Sequence, residues 1–185
     1  MTKLILGFTG LIASGKGAAK EYIENNYGAV SFKFSDILRN ILNSIDVENN
    51  RHNIIALSTF LRQEYGEDTL AKAMAKMVTD SAAEIIVVDG IRRLADITYL
   101  KDVPGFNLIA IDASPETRYE RSILRNENAG DAEKSYEEFL SDHQRETEVT
   151  IPETMAQAKY HIDNNGNLED LKKKIDTIIE KIQNS

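Results

Sequence analysis

Gly10, Gly15 and Lys16 stand at the spacing G-x-x-x-x-G-K within "GFTGLIASGKGAAKEYI", residues 7–23. Glycines let a backbone curl until successive N–H groups point inward, and such a ring cradles phosphate oxygens. The loop falls between an apolar run and a helical pattern, so a helix N-terminus adds its partial positive charge. Lys16 can then reach the β- and γ-phosphates of a nucleoside triphosphate, taken here as ATP. The expected nucleotide-binding residues are Gly10, Ala13, Ser14, Gly15, Lys16, Gly17 and Ala18. The hydroxyl that ordinarily follows the lysine and helps hold Mg2+ is missing, because Gly17 stands there. Asp89 closes the apolar run "IIVVD" and is the expected metal-side acid, facing Mg2+ across the sheet.

Arginines supply a second chemistry. The chain carries a formal charge of -8, which makes it a poor general binder of nucleic-acid backbones. Yet Arg39, Arg62, Arg92, Arg93, Arg118, Arg121 and Arg125 gather near the segments just named or proposed below. An acidic chain that concentrates its arginines is built for a small polyanion. In "FSDILRNIL" Asp36 and Arg39 are three residues apart on one helical face. Arg62 precedes a helix break in "LRQEYGEDTLA", and Arg92 and Arg93 are adjacent in "DGIRRLADI". Arg121 and Arg125 lie one turn apart on a helix that runs into the polar stretch "NENAGDAEK". A guanidinium fork matches a dianionic phosphate in geometry.

Composition narrows the remaining classes. There is no cysteine, which removes disulfides, zinc ribbons and cysteine nucleophiles together and is compatible with a cytoplasmic location. His52, His143 and His161 form no catalytic or metal-binding spacing. No apolar run approaches the ~20 residues of a membrane span, and glycines and Lys16 interrupt the one N-terminal run too early for a signal peptide.

These groups need a frame. Runs at residues 3–9, 29–34, 84–89, 106–112 and 159–163 read as strands with both faces apolar, as a covered parallel sheet requires. Between them, helices are expected over 16–26, from a Ser35 cap to Ser44, over 54–81 with a break near "EYGED", and from Ser114-Pro115-Glu116 onward. Leu168, Leu171, Ile175, Ile178, Ile179 and Ile182 give a closing amphipathic helix. The fold class is α/β: a three-layer α/β/α sandwich around a five-stranded parallel sheet, with the phosphate-binding loop at its first strand. One domain spans 1–185, with its core at about 1–34, 82–120 and 148–185, an acceptor-binding insertion at about 35–81, and a lid at about 121–147.

Gly-Lys-Gly resembles adenylate kinases and other nucleoside monophosphate kinases, in which a threonine usually comes next; here Ala18 stands in its place. "FSDILR" resembles their "GDMLR" signature, which implies that Arg39 holds the acceptor phosphate. "DGIRR" resembles their "DGFPR" stretch and the D-x-R-R segment of animal-type phosphomevalonate kinases, so Arg92 or Arg93 would hold the acceptor, with Arg92 favoured. The stretch around Arg62 is similar to archaeal adenylate-kinase-related proteins, which makes Arg62 a further substrate-site residue. The R-x-x-x-R of Arg121 and Arg125 resembles the lid base of nucleoside monophosphate kinases and dephospho-CoA kinases, where it stacks on adenine and clamps the transferring phosphoryl. In dephospho-CoA kinases an acid after the second strand serves as base for a sugar hydroxyl, a role the resemblance gives to Asp36. "YHIDNNGNLEDL" resembles the closing strand–turn–helix of dephospho-CoA and phosphomevalonate kinases.

The expected activity is in-line phosphoryl transfer from ATP with Mg2+ to a small-molecule acceptor, first a nucleoside or deoxynucleoside monophosphate. Transfer to the ribose hydroxyl of dephospho-CoA is one alternative, and a nucleotide-binding switch or slow ATPase another. Lys16, Arg121, Arg125 and Asp36 are the expected catalytic residues. No nucleic-acid polymer or membrane is expected as partner, and the oligomeric state stays open.

Overall fold

The computed structural model describes residues 3–125, 134–141 and 149–184. Strand β1 (Leu4–Thr9) is the middle of five, because its side chains are buried on both faces. Helix α1 (Lys16–Tyr27) follows, then β2 (Val30–Lys33) and α2 (Phe34–Ser44). Helices α3 (Arg51–Tyr65) and α4 (Thr69–Asp80) lead to β3 (Ile85–Ile91) and the short α5 (Leu94–Ile97). Next come β4 (Phe106–Asp112), α6 (Pro115–Arg125), α7 (Tyr136–Ser141), α8 (Ile151–Met155), β5 (Tyr160–Asp163) and α9 (Leu168–Gln183). The sheet order is β2-β3-β1-β4-β5, and every pairing is parallel.

Alternation along each strand sends side chains to opposite faces, and both faces are covered. Leu4, Leu6 and Phe8 point with Val87 and Ile111 toward Ile23 of α1 and Leu171 and Ile175 of α9. Ile5 points with Ile86, Val88 and Leu108 toward Met74 and Val78 of α4 and Ile97 of α5. This is the expected three-layer sandwich. Burying each such Leu, Ile or Phe contributes about 1.5–3 kcal/mol, so the sheet is a stiff platform for the loops at its C-terminal edge.

The strands match the apolar runs, with one informative departure. Asp89 does not end β3. The strand continues through Gly90, whose φ of 84° lies in the left-handed region, to buried Ile91, which pairs with Thr9 across a register shift. Ser35 is not the cap of α2 either. The helix starts directly from β2, and Asp36 caps it by accepting the backbone N–H of Lys33 at 3.2 Å. The break in the 54–81 region falls at Gly66, and Ser114 caps α6 by accepting the N–H of Thr117 at 3.2 Å. The α9 stripe begins at Leu171, since Leu168 is exposed.

Tyr22 and Tyr27 of α1 both donate to Asp176 of α9, at 2.8 and 2.6 Å. Burial and that carboxylate push the Tyr27 phenol well above its usual range, and the hydrogen bond to Asp176 raises Tyr22 as well. Much of the expected lid lies outside the described residues, as does His143. Within the lid region α7 packs Phe139 against Tyr119. Among the described residues no helix is long and apolar enough to cross a membrane.

Candidate active site

The loop from Gly10 to Gly15 turns the chain from β1 into α1, and its curl is enforced by packing. Gly15 caps α1 with φ 109°, and a Cβ there would run into the side-chain amide of Asn164. A Cβ at Gly10 would strike the carbonyl of Ile111. Ala13 takes a left-handed φ of 60°, which costs a non-glycine residue roughly 1–2 kcal/mol and is held only because its neighbours are fixed. Asn164, 4% exposed, fixes them: its Nδ2 donates to the Ser14 carbonyl at 2.8 Å, and its own N–H donates to Asp112 at 2.7 Å. Lys16 donates from Nζ to the carbonyls of Gly10 and Leu11 at 2.6 and 2.8 Å, which keeps the ammonium over the loop.

The two positions after the lysine differ in kind. A Cβ at Gly17 would meet nothing within 4 Å, so no packing demands glycine there. Ala18 instead packs against the core between α1 and α9.

In front of the loop lies a cavity of about 350 Å3. Gly10 and Lys16 line one end; Lys33, Phe34 and Ser35 come from the β2–α2 junction; Arg62 comes from α3; and Asp89 through Arg93, with Asp96, come from the end of β3 and the start of α5. The structure therefore brings Lys16, Asp89, Arg62, Arg92 and Arg93 together, as the sequence suggests. It adds Lys33, the direct register partner of Asp89 on the neighbouring strand. Five cationic residues line the cavity against two carboxylates, in a chain whose net charge is -8. Asp96, 6% exposed, accepts the N–H groups of Arg92 and Arg93 at 2.9 and 3.0 Å, and Arg93 also reaches Glu67 at 3.5 Å.

Asp36 and Arg39 lie elsewhere. Neither lines this cavity; Arg39 is exposed, and Asp36 is engaged in the α2 cap. Arg121 docks on the turn after β5, donating to the carbonyls of Asn164 and Gly166 at 2.8 and 2.9 Å. Arg125 closes α6, and its side chain lies outside the described residues. Arg118, only 3% exposed, touches the loop from the same helix: Nη1 donates to Ile12 at 3.4 Å and Nε to Ala113 at 3.0 Å, with the guanidinium over Phe139. In the sequence Arg118 counts among the gathered arginines and Asn164 falls in the closing turn, neither with an assigned catalytic role. Lys33 carries no mark beyond its position at a strand's C-terminal end.

The donor set fits a nucleoside triphosphate with a divalent cation. Lys16 can exchange two carbonyl bonds for stronger charge-assisted bonds to phosphate oxygens. Among the described residues no cluster of three or more His, Asp or Glu could hold a metal alone. Asp89 is a hard oxygen donor that lines the same cavity as Lys16, and one such carboxylate suits Mg2+ that arrives with phosphate and keeps its waters.

Fold and loop together define a P-loop kinase-like domain. A family model described as an AAA domain matches residues 9–140. The chain is 30% identical over 184 residues to a UPF0200 protein of Methanocaldococcus jannaschii, covering 98% of this chain and 92% of that one. It belongs to the AAA domain family so described and to the UPF0200 family. Its fold is similar to that of a Thermus thermophilus protein (TM-score 0.63, 16% identity, 98% of each chain covered). It is also similar to the shikimate kinase of Bacteroides thetaiotaomicron (TM-score 0.60, 10% identity, 97% of this chain and 98% of that chain covered).

Proposed function

We propose that this protein is an ATP-dependent phosphotransferase whose acceptor is a small anion, with a nucleoside or deoxynucleoside monophosphate as the leading candidate. One observation carries the reading: Lys16 and Asp89 share a single cavity with Lys33, Arg62, Arg92 and Arg93. A site for the triphosphate alone has no need of the last four.

The loop amides and Lys16 would hold the β- and γ-phosphates of ATP, with Asp89 on the metal side. When bound, Mg2+ would neutralise charge on the phosphate oxygens. Arg62, Arg92 and Arg93 would fix the acceptor anion in line with the γ-phosphorus, and orientation of this kind supplies much of the rate in phosphoryl transfer. Arg121 and Arg125, on the helix that leads into the lid region, would compensate charge on the transferring group. For Arg121 that role requires it to leave its two carbonyl partners. Arg39 would join the acceptor site only through an approach of α2.

The cavity favours a phosphate acceptor over a hydroxyl. A hydroxyl needs a base, and of the two carboxylates that line the cavity Asp96 accepts two backbone N–H groups while Asp89 would serve the metal side in this reading; Asp36 caps α2 outside the cavity. A phosphate oxygen is already a nucleophile. Transfer to dephospho-CoA is therefore the weaker reading, and the cationic acceptor wall argues against a switch that only hydrolyses ATP. The experiment is ADP release with Mg-ATP against a panel of nucleoside monophosphates, dephospho-CoA and shikimate. Stimulation by a monophosphate supports the proposal; hydrolysis indifferent to every panel member contradicts it.

A further inference from the structure

The peptide that carries the acceptor arginines is held from both sides. Its N–H groups at Arg92 and Arg93 both end on Asp96 Oδ2. Its carbonyl at Arg92 accepts from two hydroxyls that arrive from sixty residues away: Thr150 Oγ1 at 2.9 Å and Thr154 Oγ1 at 3.2 Å. Thr154 is fully buried, and its hydroxyl also lies 3.1 Å from the Thr150 carbonyl, so one proton is shared between two acceptors. Two donors on one carbonyl match its two lone pairs, so the group is fully engaged by the two threonines. They define where the backbone of Arg92 sits, while the left-handed Gly90 just before it would otherwise let the segment swing.

We infer that Thr154 and Thr150 are positioning residues for the acceptor pocket, holding the Arg92 carbonyl so that Arg92 and Arg93 present their guanidinium groups to an oxyanion in the cavity. The inference rests on the kinase reading only for the identity of the anion. Neither threonine lines the cavity, so their effect passes through the arginine-bearing peptide. A geometric error of about 1 Å in a substrate-positioning group can cost on the order of a hundredfold in rate, so a hydroxyl outside the cavity can matter to what happens in it.

The test uses the full chain and inorganic phosphate, read at the guanidinium Nε–H resonances of Arg92 and Arg93. Thr154→Ser keeps the hydroxyl; the double variant Thr150→Val with Thr154→Val removes both with little change of volume. We expect phosphate to shift both resonances in the wild-type protein and in Thr154→Ser with similar dissociation constants. The double variant should bind phosphate at least fivefold more weakly while its affinity for Mg-ATP stays within twofold. If the double variant does not fold, Thr150→Val alone, at the less buried position, should show at least a twofold weakening. Absence of a phosphate response at Arg92 in the wild type, equal phosphate affinity across the variants, or equal loss for phosphate and Mg-ATP would each overturn the inference. Failure of the kinase reading is a separate result: no acceptor-dependent ADP release from the wild type, which leaves the phosphate titration able to decide this question by itself.

Discussion

Asn164 donates its side-chain amide to the carbonyl of Ser14 across 150 residues of chain, in the space that a Cβ on Gly15 would occupy. The turn after the last strand thus sets the shape of the phosphate loop at the first. Asn164→Ala leaves the Ser14 carbonyl without this donor, which should destabilise the fold by about 1–3 kcal/mol in denaturant unfolding. It should also weaken Mg-ATP in calorimetry, and Gly15→Ala should weaken it more. Unchanged nucleotide affinity in both variants would mean that the loop holds its shape without Asn164.

Gly17 is open to change. Its Cβ direction is empty, and its φ is not in the left-handed region. Gly17→Ser should fold with a gain of a few tenths of a kcal/mol from helix propensity. Its hydroxyl should tighten Mg2+-dependent ATP binding several-fold. A loss of turnover beyond tenfold would show that the site requires glycine, without a hydroxyl, at this position.

Arg92 and Arg39 are both assigned to the acceptor by resemblance, but only Arg92 lines the cavity. Arg92→Ala removes a charged hydrogen bond of about 1.5–3 kcal/mol and should raise the acceptor KM tenfold or more, leaving Mg-ATP affinity nearly unchanged. Arg39→Ala should raise it less than threefold, since Arg39 is exposed outside the cavity. The reverse order in steady-state kinetics would require α2 to move onto the acceptor.

Asp36→Asn keeps an oxygen able to accept the Lys33 N–H and should retain near-normal kcat. A fall of a hundredfold or more would restore the base role and, with it, a hydroxyl acceptor.

The frame and the loop were legible because apolar runs and glycine spacing are local signals. Five strands, the helix break at Gly66 and the Ser114 cap follow from them directly. The cationic wall of the cavity was only half legible. Arg62, Arg92 and Arg93 announce themselves by type, but Lys33 reads as an ordinary polar residue in "FKF" until β2 is paired in register with β3. Asp96, Thr150 and Thr154 act on a backbone, through contacts that no spacing encodes. Asp36 and Arg39 match a known signature, yet the α2 cap uses the carboxylate.

Alkaline stability tests the α1–α9 tie behind the loop. Tyr22 and Tyr27 have phenols raised above an unfolded value of about 10, so their contribution is complete below about pH 10 and fades as pH rises through the higher folded values. Tyr27→Phe should be less stable at pH 8 by thermal unfolding and should lose less on going from pH 9 to 11. Parallel curves for the two proteins would contradict the assignment.

The central claim is that one cavity holds a triphosphate by its loop and an anion by its arginines. The most direct measurement follows label from [γ-32P]ATP in the presence of Mg2+ and the panel of nucleoside monophosphates. The account predicts label in a monophosphate acceptor, ADP formed in equal amount, both lost in Lys16→Ala and both reduced about tenfold at subsaturating acceptor in Arg92→Ala. Label appearing only as inorganic phosphate, at a rate indifferent to every acceptor, would contradict it.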